Sequence, residues 1–102
     1  LPGVVGYSPS KGAIKMLTQS LAGELAKDGV RVNAIAPAVV ATAMTTATRE
    51  NPERLARFMQ RTPLGRVAEP EELVGPVVFL ASDMASYVTG VTLPVDGGYL
   101  AV

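Results

Sequence analysis

Two short β-branched runs limit what this chain can fold into more than any other feature. Val30–Ala36, VRVNAIA, is closed by Pro37, and Val91–Val95, VTLPV, is bounded by Asp96-Gly97-Gly98. Between them the residues carry only helix, turn and loop signals. Strands separated by a long helical stretch are joined by a crossover and therefore run parallel, and parallel sheets are covered on both faces. Two strands cannot complete such a sheet. The expected fold class is α/β, with the chain either pairing with copies of itself or forming the C-terminal part of a larger doubly wound parallel sheet.

The helices can be bounded from local chemistry. From Ser8 to Asp28, Ile14, Leu17, Leu21 and Leu25 recur at steps of three and four, with Ala13, Ala22 and Ala26 widening the apolar face. Pro9 suits a first turn, and Gly29 is a natural left-handed stop. Ala38–Thr48 is small, threonine-rich and without period, which predicts an irregular loop. Asn51-Pro52-Glu53 predicts a helix start with an Asn cap, and Leu55, Phe58 and Met59 then share one face. Pro63-Leu64-Gly65-Arg66 reads as a turn. Glu69-Pro70-Glu71-Glu72 opens a third helix that runs through Leu73, Val74, Val77, Val78, Leu80 and Ala81 to Ser82 and Asp83.

Composition narrows the chemistry. With no cysteine and no histidine among 102 residues, thiolate and imidazole catalysis and a Cys/His metal site are excluded, and no metal ligands are assigned. Nine basic residues balance nine acidic ones, so no electrostatic footprint for nucleic acid or an anionic membrane exists. No apolar run reaches the roughly 18 residues that span a bilayer, and no basic start precedes an apolar stretch. The expectation is a soluble, cytoplasmic protein that meets a small molecule. Acid or base chemistry must then come from Tyr, Lys, Asp or Glu.

Tyr7 and Lys11, in YSPSKGAIK, supply such a pair. Four residues apart on a helix, they lie on one face about one turn apart. A phenol titrates near 10 in water. A neighbouring ammonium and the positive end of a helix both favour the phenolate, which moves Tyr7 toward the working range of a general acid/base. The plain alternative is an amphipathic Tyr packed over a solvated Lys stem.

The longer stretches YSPSKGAIKMLTQSLAGELAKDGVRVNAIAP, Thr42, and PLGRVAEPEELVGPVVFLASDMASYVTGVTLPVDGG resemble the C-terminal part of a short-chain dehydrogenase/reductase, in that family's order and spacing, over residues 7 to 98. The resemblance implies a Rossmann-like sheet that is incomplete without its N-terminal half. It also implies hydride transfer between a secondary alcohol and a ketone, with NAD or NADP as cofactor. By the same resemblance Tyr7 is the catalytic acid/base, and Lys11 lowers its pKa and binds the nicotinamide ribose. Pro37 closes the strand before the cofactor loop, Val40 offers its backbone to the carboxamide, and Thr42 offers its hydroxyl to the carboxamide or pyrophosphate. Where the family has Gly after the proline this chain has Ala38, which would restrict the loop if its φ were positive.

Residues 44–62 fall where the family places a mobile substrate-binding segment. Arg49, Arg54, Arg57 and Arg61 within it either meet an anionic substrate or form a solvated face with Glu50 and Glu53. The Gly-rich turn that cradles a pyrophosphate is not found, and Ser8 and Ser10 lie on the wrong side of Tyr7 to serve as the family's serine. These 102 residues alone are therefore expected to bind no dinucleotide and to be inactive. Sugar acids or polyols, in the manner of gluconate 5-dehydrogenase-like members, are the expected substrates of the whole enzyme, with 3-oxoacyl carrier-protein thioesters as the alternative. Apolar faces at Ile14 to Leu25 and Val74 to Leu80, left without covering strands, predict a homo-oligomer; a non-catalytic assembly module is the other reading of the same faces.

Overall fold

The computed structural model describes residues 7–101, and side chains from residue 11 onward. Its order is α1 (Tyr7–Leu25), β1 (Ala34–Pro37), α2 (Thr46–Glu50), α3 (Pro52–Gln60), α4 (Val74–Ala81) and β2 (Thr92–Val95). Short 3₁₀ turns fill Ala26–Asp28, Ala43–Thr45, Pro70–Leu73, Asp83–Ala85 and Tyr99–Ala101. β1 and β2 form a two-stranded parallel sheet, so the α/β class and the helical crossover are as expected. No helix among the described residues is long and apolar enough to cross a membrane.

Local signals set several ends. Gly29 takes φ +72° and its N–H caps Ala26, which stops the first helix where the sequence predicts. Asn51 Oδ1 accepts the N–H groups of Glu53 (3.1 Å) and Arg54 (3.2 Å), with Pro52 at the first helical position of α3.

Three expectations need correction. The first strand begins at Ala34, not Val30, because side chains take up the bonding that a ladder would use. Asn33 donates Nδ2–H to the Val88 carbonyl (3.0 Å) and accepts the Val91 N–H (3.1 Å), and Thr89 Oγ1 accepts the Val32 N–H (3.0 Å). The loop expected over 38–48 contains a 3₁₀ turn and α2. The third helix is broken: Pro70–Leu73 is 3₁₀ and α4 starts at Val74, since Pro76 lacks the N–H that a continuous helix would need there.

The described residues fall into two compact units, one comprising residues up to Ala36 with Phe79–Leu93, the other Pro37–Val78 with the residues from Pro94. In the first, the buried line of α1 is Thr18 and Ala22, flanked by half-buried Lys11, Leu21 and Leu25. A β-carbon at Gly90 would stand only 3.4 Å from Ala22 Cβ, so small residues let this backbone approach the helix. Ile14 and Leu17, on the apolar face expected to lack covering strands, are 52% and 58% exposed. Arg31 binds this unit together from half-buried surroundings. Its guanidinium donates to the carbonyls of Leu80 (2.8 Å), Val88 (3.2 Å) and Ser82 (3.2 Å).

In the second unit Val39, Val40 and Thr62 are buried. Val40 bridges Ala68 in parallel, through Ala68 N–H to the Val39 carbonyl (3.1 Å) and Ala41 N–H to the Ala68 carbonyl (2.8 Å). Val74, Val77 and Val78 remain exposed along α4, an uncovered apolar face of the kind the sequence predicts.

Candidate active site

Tyr7 is the first residue of α1 and Lys11 follows one turn later. Lys11 is half-buried and stands on the same line of the helix as Thr18, Ala22 and Leu25. The expected role of the Tyr7 phenol falls on a side chain outside those described.

Pro37, Val40 and Thr42 are brought together at the exit of β1. The parallel bridge uses the carbonyl of Val39 and the N–H of Ala41, so the N–H and C=O of Val40 point to the other side. There the Val40 carbonyl accepts the Thr42 N–H (2.8 Å) and the Thr45 hydroxyl. The Val40 N–H has no hydrogen-bond partner among the described residues. A carboxamide oxygen is the complement of such a donor, so the loop fits a nicotinamide. Ala38, like every described non-glycine residue, has negative φ, so its methyl imposes no backbone strain there.

The arginines of 44–62 do not behave as a group. Arg49 on α2 folds back onto its own segment, donating Nη2–H to the Thr42 carbonyl (2.8 Å) and Nε–H to Thr45 Oγ1 (3.1 Å). Arg61 lies 4.7 Å over the Tyr99 ring, which also packs on Phe58 at 5.9 Å. Arg54 and Arg57 are exposed. The expected pairing with Glu50 and Glu53 is absent among the described residues. Sequence reasoning missed Thr45 and the inward use of Arg49; the spacing of Thr42, Thr45, Thr46 and Arg49 around one helix start was the available signal.

The foot of this segment borders a mostly apolar hollow of about 140 Å³ lined by Val39, Met59, Thr62, Leu64, Ala68 and Val95. At its rim Arg66 and Glu72 form a two-pronged ion pair (2.6 and 2.7 Å), and Glu72 also accepts the Glu69 N–H at 2.9 Å. Hydrogen bonds from Arg66 and from that backbone hold the Glu72 carboxyl down at about 2, and the same pair raises Arg66. The pair staples the Pro70–Leu73 turn.

Comparison with known proteins agrees with the motif reading. The family model described as enoyl-(acyl carrier protein) reductase, the C2 type of short-chain alcohol dehydrogenase, matches residues 1–100. The galactitol 2-dehydrogenase of Cereibacter sphaeroides is 55% identical over 91% of this chain and 37% of its own length. The 2-dehydro-3-deoxy-D-gluconate 5-dehydrogenase of Pseudoalteromonas atlantica is 53% identical over 95% of the chain and 38% of its own. The crystal structure of a gluconate 5-dehydrogenase from Burkholderia cenocepacia, in complex with NADP and tartrate, superposes with TM-score 0.88 at 35% identity, over 94% of this chain and 38% of that one. The chain thus spans little more than a third of the length of the relatives it matches.

Proposed function

Because this chain belongs to the short-chain dehydrogenase/reductase family, we propose that the full-length protein is an NAD(P)-dependent oxidoreductase interconverting a secondary alcohol and a ketone on a polyol or sugar acid. The observation that carries this reading is the pair Tyr7 and Lys11, one turn apart at the start of α1, inside a family match that runs over residues 1–100. When bound, NAD or NADP supplies the hydride chemistry. Tyr7 gives its phenolic proton to the carbonyl oxygen in reduction and takes the alcohol proton in oxidation. The Lys11 ammonium favours the phenolate, and its three donors suit vicinal ribose hydroxyls. Pro37 turns the chain out of β1, Val40 offers its N–H to the carboxamide, and Thr42 offers its hydroxyl to the carboxamide or pyrophosphate. Segment 44–62 covers the substrate and excludes water.

The names of the relatives, a galactitol dehydrogenase and two gluconate-type 5-dehydrogenases, support the substrate class. A cytoplasmic setting goes with a nicotinamide cofactor. Homo-oligomerisation belongs to the same reading, supported by the exposed Ile14, Leu17, Val74, Val77 and Val78; sedimentation of a folded monomer at micromolar concentration would count against it.

The test is nicotinamide absorbance of the full-length protein against galactitol, gluconate and 3-oxoacyl thioesters. Turnover with a polyol or sugar acid, reduced about a thousandfold by Tyr7→Phe, is expected. Turnover with thioesters alone would replace the substrate class, and a Tyr7→Phe variant as active as wild type would sink the mechanism.

A further inference from the structure

Arg49 closes a small network on the strand exit. Its Nη2 donates to the Thr42 carbonyl (2.8 Å) and to Thr46 Oγ1 (3.4 Å), while Nε donates to Thr45 Oγ1 (3.1 Å). The Thr45 hydroxyl in turn accepts the Thr42 N–H (3.2 Å) and has the Val40 and Thr42 carbonyls as acceptors for its proton. The Val40 carbonyl also receives the Thr42 N–H directly at 2.8 Å. The peptide groups on either side of Thr42 are therefore held by one guanidinium, directly at the Thr42 carbonyl and through Thr45 at the Thr42 N–H.

The neighbouring acceptors are neutral, so the charge of Arg49 strengthens each bond that it makes. Its planar fork is what reaches a carbonyl and a hydroxyl together, which a lysine cannot reproduce. Arg49 is half-buried on α2, the first helical piece of segment 44–62, so the network ties that segment to the strand exit.

We propose that Arg49 is a positioning residue for the nicotinamide loop: acting on the Thr42 carbonyl and through Thr45 on the Thr42 N–H, it fixes the backbone on both sides of Thr42 and so sets the orientation in which the Thr42 side chain is presented, without touching the cofactor itself. This rests on the reading that the Val40–Thr42 loop meets the carboxamide. Since binding linkage is reciprocal, dinucleotide binding should also slow the opening of α2.

The test uses the full-length protein with Arg49→Gln, Arg49→Lys, Thr45→Val and Thr45→Ser. Dissociation constants for NADH and NADPH come from fluorescence titration, and amide hydrogen exchange at 41–46 is followed without cofactor. Arg49→Gln is expected to weaken dinucleotide binding about tenfold, the loss of one charge-assisted bond. Cofactor KM rises with it, kcat stays within about twofold, and exchange at Thr42 and Thr45 accelerates. Thr45→Val does the same, and the double variant adds little to either single one, as members of one network should behave. Arg49→Lys recovers part of the affinity and Thr45→Ser all of it.

Unchanged dinucleotide binding and exchange in Arg49→Gln would overturn the proposal. So would a rise in KM confined to sugar acids and absent for galactitol, which would make Arg49 an anion contact. Failure of the functional reading looks different: the wild-type protein itself binds neither NADH nor NADPH, and the proposal then falls with it.

Discussion

Gly98 lies against the ring of Pro63, so close that a β-carbon on Gly98 would stand 2.8 Å from Pro63 Cγ and 3.0 Å from Cδ. Gly98 also holds φ +93°, and its N–H is capped by Asp96 Oδ1 at 3.0 Å. The substitution Gly98→Ala therefore meets backbone strain and a rigid ring together. We expect a loss of about 2–4 kcal/mol, read from the urea midpoint. A midpoint equal to that of the wild type would mean that the turn shifts away from Pro63 at no cost.

Arg31 serves three carbonyls from its partly buried position, two of them, Leu80 and Ser82, at the C-terminal end of α4. A cation there also meets the negative end of the helix. Truncation by Arg31→Ala removes the guanidinium from all three, although the Val88 carbonyl keeps Asn33 Nδ2–H and the Ser82 carbonyl keeps the Ala85 N–H, and should cost about 1–3 kcal/mol. Arg31→Lys should recover less than half, because one ammonium cannot reach Leu80, Ser82 and Val88 together. Thermal melting of the two variants tests this; an Arg31→Lys variant as stable as the wild type would show that the fork geometry is immaterial.

Asn51→Ala removes the side chain that accepts two N–H groups at the start of α3. The expected loss is about 1 kcal/mol, the usual cost of losing such a cap. Faster amide exchange at Glu53 and Arg54, with α1 unaffected, is the local signature to look for.

The Glu72 carboxyl is lowered to about 2 by Arg66 and the Glu69 N–H, against about 4.3 for the unfolded chain. A depressed carboxyl stabilises the fold above its unfolded pKa, and that contribution fades as pH falls through 4 toward 2. Glu72→Gln should therefore differ from wild type in stability at neutral pH and converge with it near the lower limit. The pair is exposed to solvent, so the difference should be small and shrink further in high salt. Denaturation at several pH values measures it; a gap that persists unchanged at pH 2 would assign the effect to packing.

What the sequence by itself determined was short-range. Gly29 stops the first helix because only it takes a left-handed φ cheaply, and Asn51-Pro52 starts another because cap and ring act on their nearest neighbours. Tyr7 and Lys11 are one turn apart for the same reason: the helix period places them there. The tertiary structure alone decided where β1 begins, since the bonds of Arg31 and Asn33 go to residues 49 to 58 positions away, which no local pattern encodes. It likewise brought Thr18 into the packed line of α1 beside Ala22, because the close approach of Gly90 rewards small side chains rather than apolar period. And it turned Arg49 inward: a charged residue in a threonine-rich stretch reads as solvated until the carbonyl of Thr42 stands within reach of its guanidinium.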